Sequence, residues 1–454
     1  MSAANESNLG LEQSWQLSSL LRSSRVRTLA AMLAILLILL DSVALYRAIQ
    51  GNPYPFWKTN TDFGGYLRAS TSFMNGEDIY AYQPCPCNLL YGTREIHDQY
   101  PYPPFFAALL IPLTVTGDAA ARYLWLCISL GCIIGSLMLL LRGFGTRISW
   151  HWIALAFAVI CMSRIGRSDL YHGQVNFLLM FLIVLGLWCY SKGKHTAAGI
   201  VLGVAFVIKP FLGIILIYFL WRRQWRTAFT SALTGGILLI LSFVPLVLTQ
   251  GLSIVQRWLT TSAYYTSGAV AARPDNYSLN GLLLRLFNTN YFTTPLFESA
   301  SLTRILSVLL IVFLFGTFSL ALLPQQRWPA ALRETPALLL AEVGLLVGLT
   351  MTYGPMTERD HFFLLTPGLV GVILLAQQRH VNQALSKLWC CVIAGWTIFF
   401  ALQTSPVKLN LGVAPAETWS RLAGSGILWT GEVGMMLLLI TVLLAYALRR
   451  EHTS

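Results

Sequence analysis

Charge is what this sequence has least of. Only 11% of its 454 residues are Asp, Glu, Lys or Arg, where a soluble domain carries about 25%. With 56% hydrophobic residues, that scarcity excludes an ordinary soluble domain and points to a polytopic membrane protein. Other absences narrow the class. The polar start, Met1 to Leu21, has no short apolar core ahead of a small-residue cleavage site, so nothing marks it as a removable signal peptide. No low-complexity tract and no clear internal repeat is present. Cysteine is sparse: Cys127, Cys132, Cys161, Cys189, Cys390 and Cys391 lie in apolar segments as small hydrophobes, and Cys85 and Cys87 are too close for an easy disulfide. No four-ligand zinc spacing appears, and no metal or other cofactor is expected.

What is there is a series of apolar runs, at about 27–49, 119–141, 150–164, 174–190, 196–208, 211–221, 227–249, 301–323, 336–353, 361–377, 387–404 and 427–448. Read as about twelve transmembrane helices, they make an all-α membrane domain over 27–448, with tails 1–26 and 449–454 on one side. The runs flanking Lys209-Pro210 are each about a dozen residues, short of the roughly 20 that cross a bilayer. They read as a hairpin of short helices broken at Pro210; a single bent helix is the alternative and would invert everything after it. Loop charge favours the hairpin. One face then receives 16 bases, among them Arg142, Lys192, Lys194, Arg222, Arg223 and Arg226, against four acids, which is the whole net charge of +12. The other face is neutral. The positive excess therefore marks the cytoplasmic side and calls for no nucleic acid.

Four polar segments face outward on this layout: 51–118, 250–300, 354–360 and 405–426. The first holds an amphipathic piece, Phe63 to Phe73, and an apolar run, Phe105 to Leu113, too short to span; such pieces lie in the interface. These segments collect the chain's polar chemistry. Asp62 precedes two glycines and Tyr66, and reads either as the N-cap of the interfacial piece or as a functional carboxylate. His172, Gln174 and Asn176 stand at the outer start of an apolar helix, as interfacial caps or as partners for sugar hydroxyls. Lys209 is a lone ammonium amid some twenty-five apolar residues, expensive unless it reaches water, headgroups or an anion. Arg273, Asn276 and Arg285 combine cations and an amide. Glu358 and His361 stand with Arg359 and Asp360 at the start of a later helix.

At these residues the chain resembles the polyprenol-phosphate-sugar-dependent mannosyltransferases of glycosyltransferase family 87, within the GT-C superfamily of multi-pass enzymes. The resemblance runs from about 60 to 365. It rests on Asp62-Phe-Gly-Gly-Tyr66, Tyr102-Pro-Pro104, Gly173-Gln-Val-Asn176, Ala198-Gly199 with Leu202-Gly203, Lys209-Pro210-Phe211 and Asn276-Tyr-Ser-Leu-Asn-Gly281, in family order. It implies a GT-C fold in the plasma (inner) membrane, with the site on the extracytoplasmic side. It also implies a polyprenyl phosphate sugar as donor and a membrane lipid or glycan as acceptor. Asp62 becomes the general base, with His361 as a second catalytic member. Lys209, Arg273 and Arg285 become cations for the donor phosphate, leaving His172, Gln174, Asn176, Asn276 and Glu358 for sugar or acceptor. The family commonly has Ser-Pro and a tryptophan shortly before the histidine; this chain has Gly354-Pro355, then Met356-Thr-Glu-Arg-Asp360.

Two other readings remain. A transporter or flippase of lipid-linked saccharides predicts ionisable residues at mid-membrane, and Asp41 and Glu342 do lie inside apolar runs. Another GT-C enzyme, an arabinosyl- or glucosyltransferase, shares the mechanism and differs in the sugar.

Overall fold

The structure, a computed structural model, describes residues 24–51, 61–81, 100–144, 148–266, 271–273, 276–290, 295–322, 335–354 and 356–376. Among the described residues it is helical, with no strand. The helices are α1 Ser24–Gly51, α2 Asp62–Met74, α3 Pro104–Thr114, α4 Asp118–Met138 and α5 Trp150–Met162. They continue as α6 Arg164–His172, α7 Asn176–Ser191, α8 His195–Ile208, α9 Ile214–Trp221 and α10 Trp225–Gln250. The last five are α11 Ser253–Thr266, α12 Leu279–Phe287, α13 Ala300–Leu322, α14 Pro336–Tyr353 and α15 Thr366–Ala376.

The first ten expected apolar runs all fall on helices at nearly the expected places. The runs 387–404 and 427–448, with the outward segment 405–426, Cys85 and Cys87, lie outside the described residues. Among the described residues two helices are long and apolar enough to cross a membrane: Asp118–Gly143, which is α4 with a π turn at its end, and Trp225–Gln250. A third candidate is the pair α6 and α7, bent by 108°. Three helices were not anticipated: α6, α11 and α12. In α6 and α11 the apolar content is too low to stand out beside the long runs, and α12 is apolar but only nine residues long.

The path of the middle helices decides where the site lies. Asn176, at the start of α7, meets Lys209, just past the end of α8, at 3.0 Å. At the far end of these helices Tyr190 stacks against His195 and Phe219, with ring centroids at 5.0 and 4.9 Å, and the Arg226 Nε donates to Thr196 at 2.9 Å. The chain therefore reverses at Lys209, runs back through α9, and reverses again into α10. That path is the hairpin, and it is why α8 and α10 run parallel. Their closeness depends on glycine. A Cβ on Gly199 would sit 1.8 Å from the Thr230 hydroxyl oxygen, and one on Gly203 would sit 2.7 Å from the Ser231 carbonyl oxygen. Small residues one turn apart let two backbones touch where lipid supplies no hydrophobic drive.

The molecule thus has two chemically distinct ends. One carries Arg142, Lys192, Lys194, Arg222, Arg223 and Arg226; there the Arg142 guanidinium lies over Trp150 at 4.6 Å. The other carries Asp62, Asn176, Lys209 and His361.

Candidate active site

The site is assembled from three breaks in the helices. The first is the start of α2. Thr61, with extended backbone, is the N-cap and accepts the Gly64 N–H at 3.3 Å. Asp62 is therefore not the cap, as its place before the glycines allowed; it is the first helical residue, and Thr61, one position earlier, fills the capping role. This leaves its carboxylate at the positive end of the helix dipole and 41% exposed. The His172 Nδ1 lies 3.7 Å from the Asp62 Oδ2.

The second break separates α6 from α7. Gly173 takes a left-handed φ of 66°, which L side chains rarely adopt, and a Cβ there would lie 2.6 Å from that of Phe63. Its carbonyl accepts the Trp125 indole N–H at 2.9 Å, and Trp125 stacks on Phe63 at 5.4 Å. The turn thereby ties α2, α4 and the α6–α7 bend together. Gln174 and Asn176 emerge from it pointing to different partners. Gln174 accepts from the Tyr66 hydroxyl at 3.2 Å and donates to Glu358 at 3.4 Å. Tyr66 is also 3.1 Å from the Tyr102 hydroxyl. Asn176 donates to the buried Asp169 at 2.9 Å, which turns its carbonyl oxygen toward Lys209.

The third break is Lys209 itself, whose extended backbone stops α8 ahead of Pro210. Its ammonium is nearly buried, at 7% exposure. Besides Asn176 it faces the His361 Nε2 at 2.8 Å and lies 5.8 Å from the centre of the Tyr102 ring. Burial brings Lys209 down to about 8, although Glu358, Asp169, Asp62 and Asp360 all favour the ammonium. Burial, and then Lys209, hold His361 well below its usual 6.5. The His361 Nδ1 accepts the Glu358 backbone N–H at 3.2 Å, in a reciprocal cap that starts the 3-10 turn Arg359–Leu365. A neutral ring with Nδ1 so engaged carries its proton on Nε2, facing Lys209. An ammonium has no lone pair to receive that proton. The pair therefore closes fully only when Lys209 gives up a proton, or when another acceptor takes over its donors.

Seven expected residues, then, form two connected groups: Lys209, His361, Asn176, Gln174 and Glu358 through direct hydrogen bonds and the cap, and Asp62 with His172 alongside. Tyr66 and Tyr102 join Gln174 to the ring face below Lys209. Arg285 and Asn276 are placed differently. Arg285 is 1% exposed and donates to the carbonyls of Arg273 and Asn276 at 2.7 and 3.2 Å. Asn276, fully buried, donates to the Ala271 carbonyl at 2.6 Å and accepts from the N–H groups of Ser278 and Thr357 at 3.0 and 2.9 Å. Both side chains are engaged by backbone, and they clamp 271–273 and 276–278 onto the segment that presents Glu358 and His361. Of Arg273, the structure gives a carbonyl partner for Arg285. Sequence reasoning gave Tyr102, Asp169 and Asp360 no role of their own in the site. A lone carboxylate beside the helix break was the one available signal, for Asp169. Among the described residues no group of three or more His, Cys, Asp or Glu is arranged to hold a metal ion.

Glu342 lies at the other end. It is 2% exposed, accepts a hydrogen bond from Tyr218, and sits 3.8 Å from the Arg222 guanidinium. It ties α14 to α9.

A family model described as glycosyltransferase family 87 matches residues 100–352. An alpha-(1->3)-arabinofuranosyltransferase of Corynebacterium glutamicum is 27% identical over 38% of this chain and 40% of its own length. One of Mycobacterium tuberculosis is 30% identical over 41% of each chain. The match thus covers about 40% of the length of these arabinofuranosyltransferases. A polyprenol-phosphate-mannose-dependent alpha-(1-2)-phosphatidylinositol mannoside mannosyltransferase of Mycobacterium tuberculosis is 24% identical over 87% of each chain. No solved structure matches.

Proposed function

The chain belongs to glycosyltransferase family 87, and from that premise we propose that it transfers a sugar, mannose or another hexose, from a polyprenyl phosphate donor to a lipid or glycan acceptor by one inverting displacement. The observation that carries the proposal is the meeting of Lys209, Asn176 and His361 beside Asp62, at the end of the bundle opposite the arginines. Arginine-rich ends face the cytoplasm, so this end opens on the extracytoplasmic side of the inner membrane, where a lipid-borne phosphate sits.

The acceptor hydroxyl gives its proton to the Asp62 carboxylate as its oxygen forms the new bond to the anomeric carbon. The bond from that carbon to the phosphate oxygen breaks, and its electron pair leaves with the polyprenyl phosphate. Lys209 supplies positive charge where that negative charge grows, and the buried setting strengthens the attraction. His361 is a donor to the same phosphate through Nε2. Arg273 is the remaining candidate cation for the donor; Arg285 and Asn276 act by positioning the loop. His172 orients Asp62. Gln174 and Glu358 supply hydroxyl partners around the sugar, while Asn176, held by Asp169, positions Lys209.

Of the alternatives, arabinosyl transfer has the arabinofuranosyltransferase relatives in its favour and uses the same residues. The transporter reading loses one of its two supports, since Glu342 is engaged by Tyr218 and Arg222.

The test is Asp62→Asn in purified protein supplied with a panel of polyprenyl phosphate sugars. Transfer is expected to fall by at least 1,000-fold (about 4 kcal/mol of barrier) while donor affinity stays within about threefold of the original, under 1 kcal/mol. Retained turnover in the variant would refute the role of Asp62, and no transfer by the parent protein from any donor would refute the reading as a whole.

A further inference from the structure

Lys209 is surrounded by carboxylates and pairs with none of them. Glu358, Asp169, Asp62 and Asp360 all act on its charge, yet among the described residues none stands within the 4.0 Å of an ion pair with the ammonium. The atoms that do meet it are the Asn176 amide oxygen and the His361 ring nitrogen, at 3.0 and 2.8 Å. A buried lysine ordinarily takes a carboxylate in direct contact.

Asp169 accounts for the departure. It lies between the apolar runs 150–164 and 174–190, outside the spanning segments, and is 1% exposed. Its carbonyl accepts the Gln174 N–H at 3.0 Å across the Gly173 turn, so backbone fixes its place relative to Asn176. Its Oδ2 accepts the Asn176 Nδ2 at 2.9 Å. A carboxylate only accepts, an ammonium only donates, and an amide does one at each end. The order Asp169, Asn176, Lys209 therefore permits a single orientation of the amide. The adjoining Ser168 hydroxyl donates to Asp360 at 3.1 Å, which ties the second buried carboxylate to the same helix.

We propose that Asp169 is a positioning residue of the transfer site: through Asn176 it keeps the Lys209 ammonium charged and aimed at the donor phosphate, with an amide between them so that no carboxylate occupies the phosphate's place. The proposal rests on the transfer reading and deepens it. Of the three N–H bonds of the ammonium, Asn176 takes one and two are left for the phosphate. A carboxylate in contact would compete for those two; one held beyond an amide adds its attraction through the low-dielectric interior and leaves the place open.

Burial, and then Asp360, push Asp169 well above the ordinary carboxylate range, with Asp62 adding to the push and Asn176 and Lys209 opposing it. Once protonated, Asp169 can donate to the Asn176 carbonyl, so the amide is no longer held one way round and the charge that favours the ammonium is gone. Donor affinity therefore falls toward acid. Loss of a negative charge near an anion site would by itself do the opposite.

The test is the binding of farnesyl phosphoryl mannose, with no acceptor present, to the purified full-length protein from about pH 5.5 to about 9. The probe is a phosphodiester and keeps one negative charge throughout. In the parent protein affinity is expected to fall toward the acid end. Asp169→Asn is expected to weaken binding about tenfold at the parent's optimal pH and to erase the acid-side fall. Asp169→Asn combined with Asn176→Asp keeps the charge and reverses the order, which sets the carboxylate against the lysine; binding stays about tenfold weak, whereas a role in charge or packing alone would be restored by the exchange. Affinity that holds or rises toward acid in the parent, unchanged or tighter binding in Asp169→Asn, or recovery in the exchanged variant overturns the proposal. A second readout needs no ligand. The gain in melting temperature from Lys209→Met near neutral pH is expected to be larger when Asp169→Asn is also present, and to begin fading about half a pH unit lower; an equal gain in both backgrounds overturns the proposal. A parent protein that binds no polyprenyl phosphate sugar strikes the transfer reading and leaves the melting comparison to decide this one.

Discussion

Replacing Lys209 with Met separates what the lysine does for the fold from what it does for the donor. Burial lowers this group from 10.5 to about 8, which means that below pH 8 the folded protein carries a penalty of about 3 kcal/mol for holding the ammonium. The sign follows from the direction. A lysine whose folded value is depressed destabilises the fold fully while both states are protonated, and the penalty fades as pH rises from about 8 to 10.5. Against that stands, below pH 8, the hydrogen bond that the ammonium donates to Asn176, worth about 2 kcal/mol from a charged donor, and, once the proton is lost, two neutral hydrogen bonds, to Asn176 and from His361, each contributing about 1 kcal/mol net. Lys209→Met should therefore be more stable than the parent protein by about 1 kcal/mol at pH 7 and less stable by about 2 kcal/mol at pH 10.5, with the curves crossing near pH ~9. Apparent melting temperatures in detergent, taken at half-unit steps of pH, read this directly. Donor binding moves the other way. It is expected to be lost in the variant, and in the parent protein to weaken up to tenfold per pH unit above 8, as the ammonium that meets the phosphate disappears. A difference in melting temperature that keeps one sign from pH 7 to 10.5, or donor affinity flat over that range, would refute the assignment of Lys209 as a buried, titrating phosphate ligand.

Three further outcomes follow from the packing. His361→Ala should lower the rate of transfer roughly 100-fold, at the low end for one lost hydrogen-bond donor to developing negative charge; an unchanged rate measured under donor saturation removes His361 from the chemistry. Gly203→Ala, which drives a methyl against the Ser231 carbonyl, should destabilise by roughly 1–3 kcal/mol, whereas Gly236→Ala, with nothing within 4 Å of its added methyl, should melt like the parent protein; the two melting curves settle whether the α8–α10 contact is as tight as described. Tyr218→Phe removes the donor to buried Glu342 and should cost about 1.5–3 kcal/mol, seen as a lower melting temperature with donor affinity retained.

The sequence made some of this legible and hid the rest for definite reasons. Lys209 could be singled out because an ammonium among apolar residues is costly wherever the chain goes, and its place at a reversal followed from Pro210 and from helices too short to span. The gathering of bases at one end could be read because loop charge is counted without knowing contacts. Partnerships could not. Lys209 meets His361 across 152 positions, and Gln174 meets Glu358 across 184; no local pattern encodes such pairs. Asn276 and Arg285 look like ligand-binding residues in a one-dimensional reading, because an amide and a guanidinium in a polar loop are indistinguishable from backbone clamps until the carbonyls they serve are located. Thr61 illustrates the same limit at short range: threonine and aspartate are both good caps, and only the backbone angles assign the role.

The two sides of the site are held by different kinds of contact, and the chemistry accounts for the difference. Lys209 stands at the end of α8, whose height in the bundle is set by the glycine contact with α10, and on the far side of α9 by Tyr218, Glu342 and Arg222; any shift of the ammonium along its helix has to break backbone-to-backbone packing. Asp62 rides instead on a short surface helix, fastened through aromatic rings: Phe63 on Trp125, and Tyr66 against Phe106 and Tyr102 at 5.0 and 5.3 Å between centroids. A phosphate bearing a long lipid chain presents the same head for every donor of its class, so a rigid cation loses nothing by being fixed. An acceptor hydroxyl has to come within hydrogen-bond reach of the base, and Asp62 keeps 41% of its side chain exposed. The half-exposed Asp62–His172 pair beside a nearly buried Lys209–His361 pair is the arrangement such a division of labour requires.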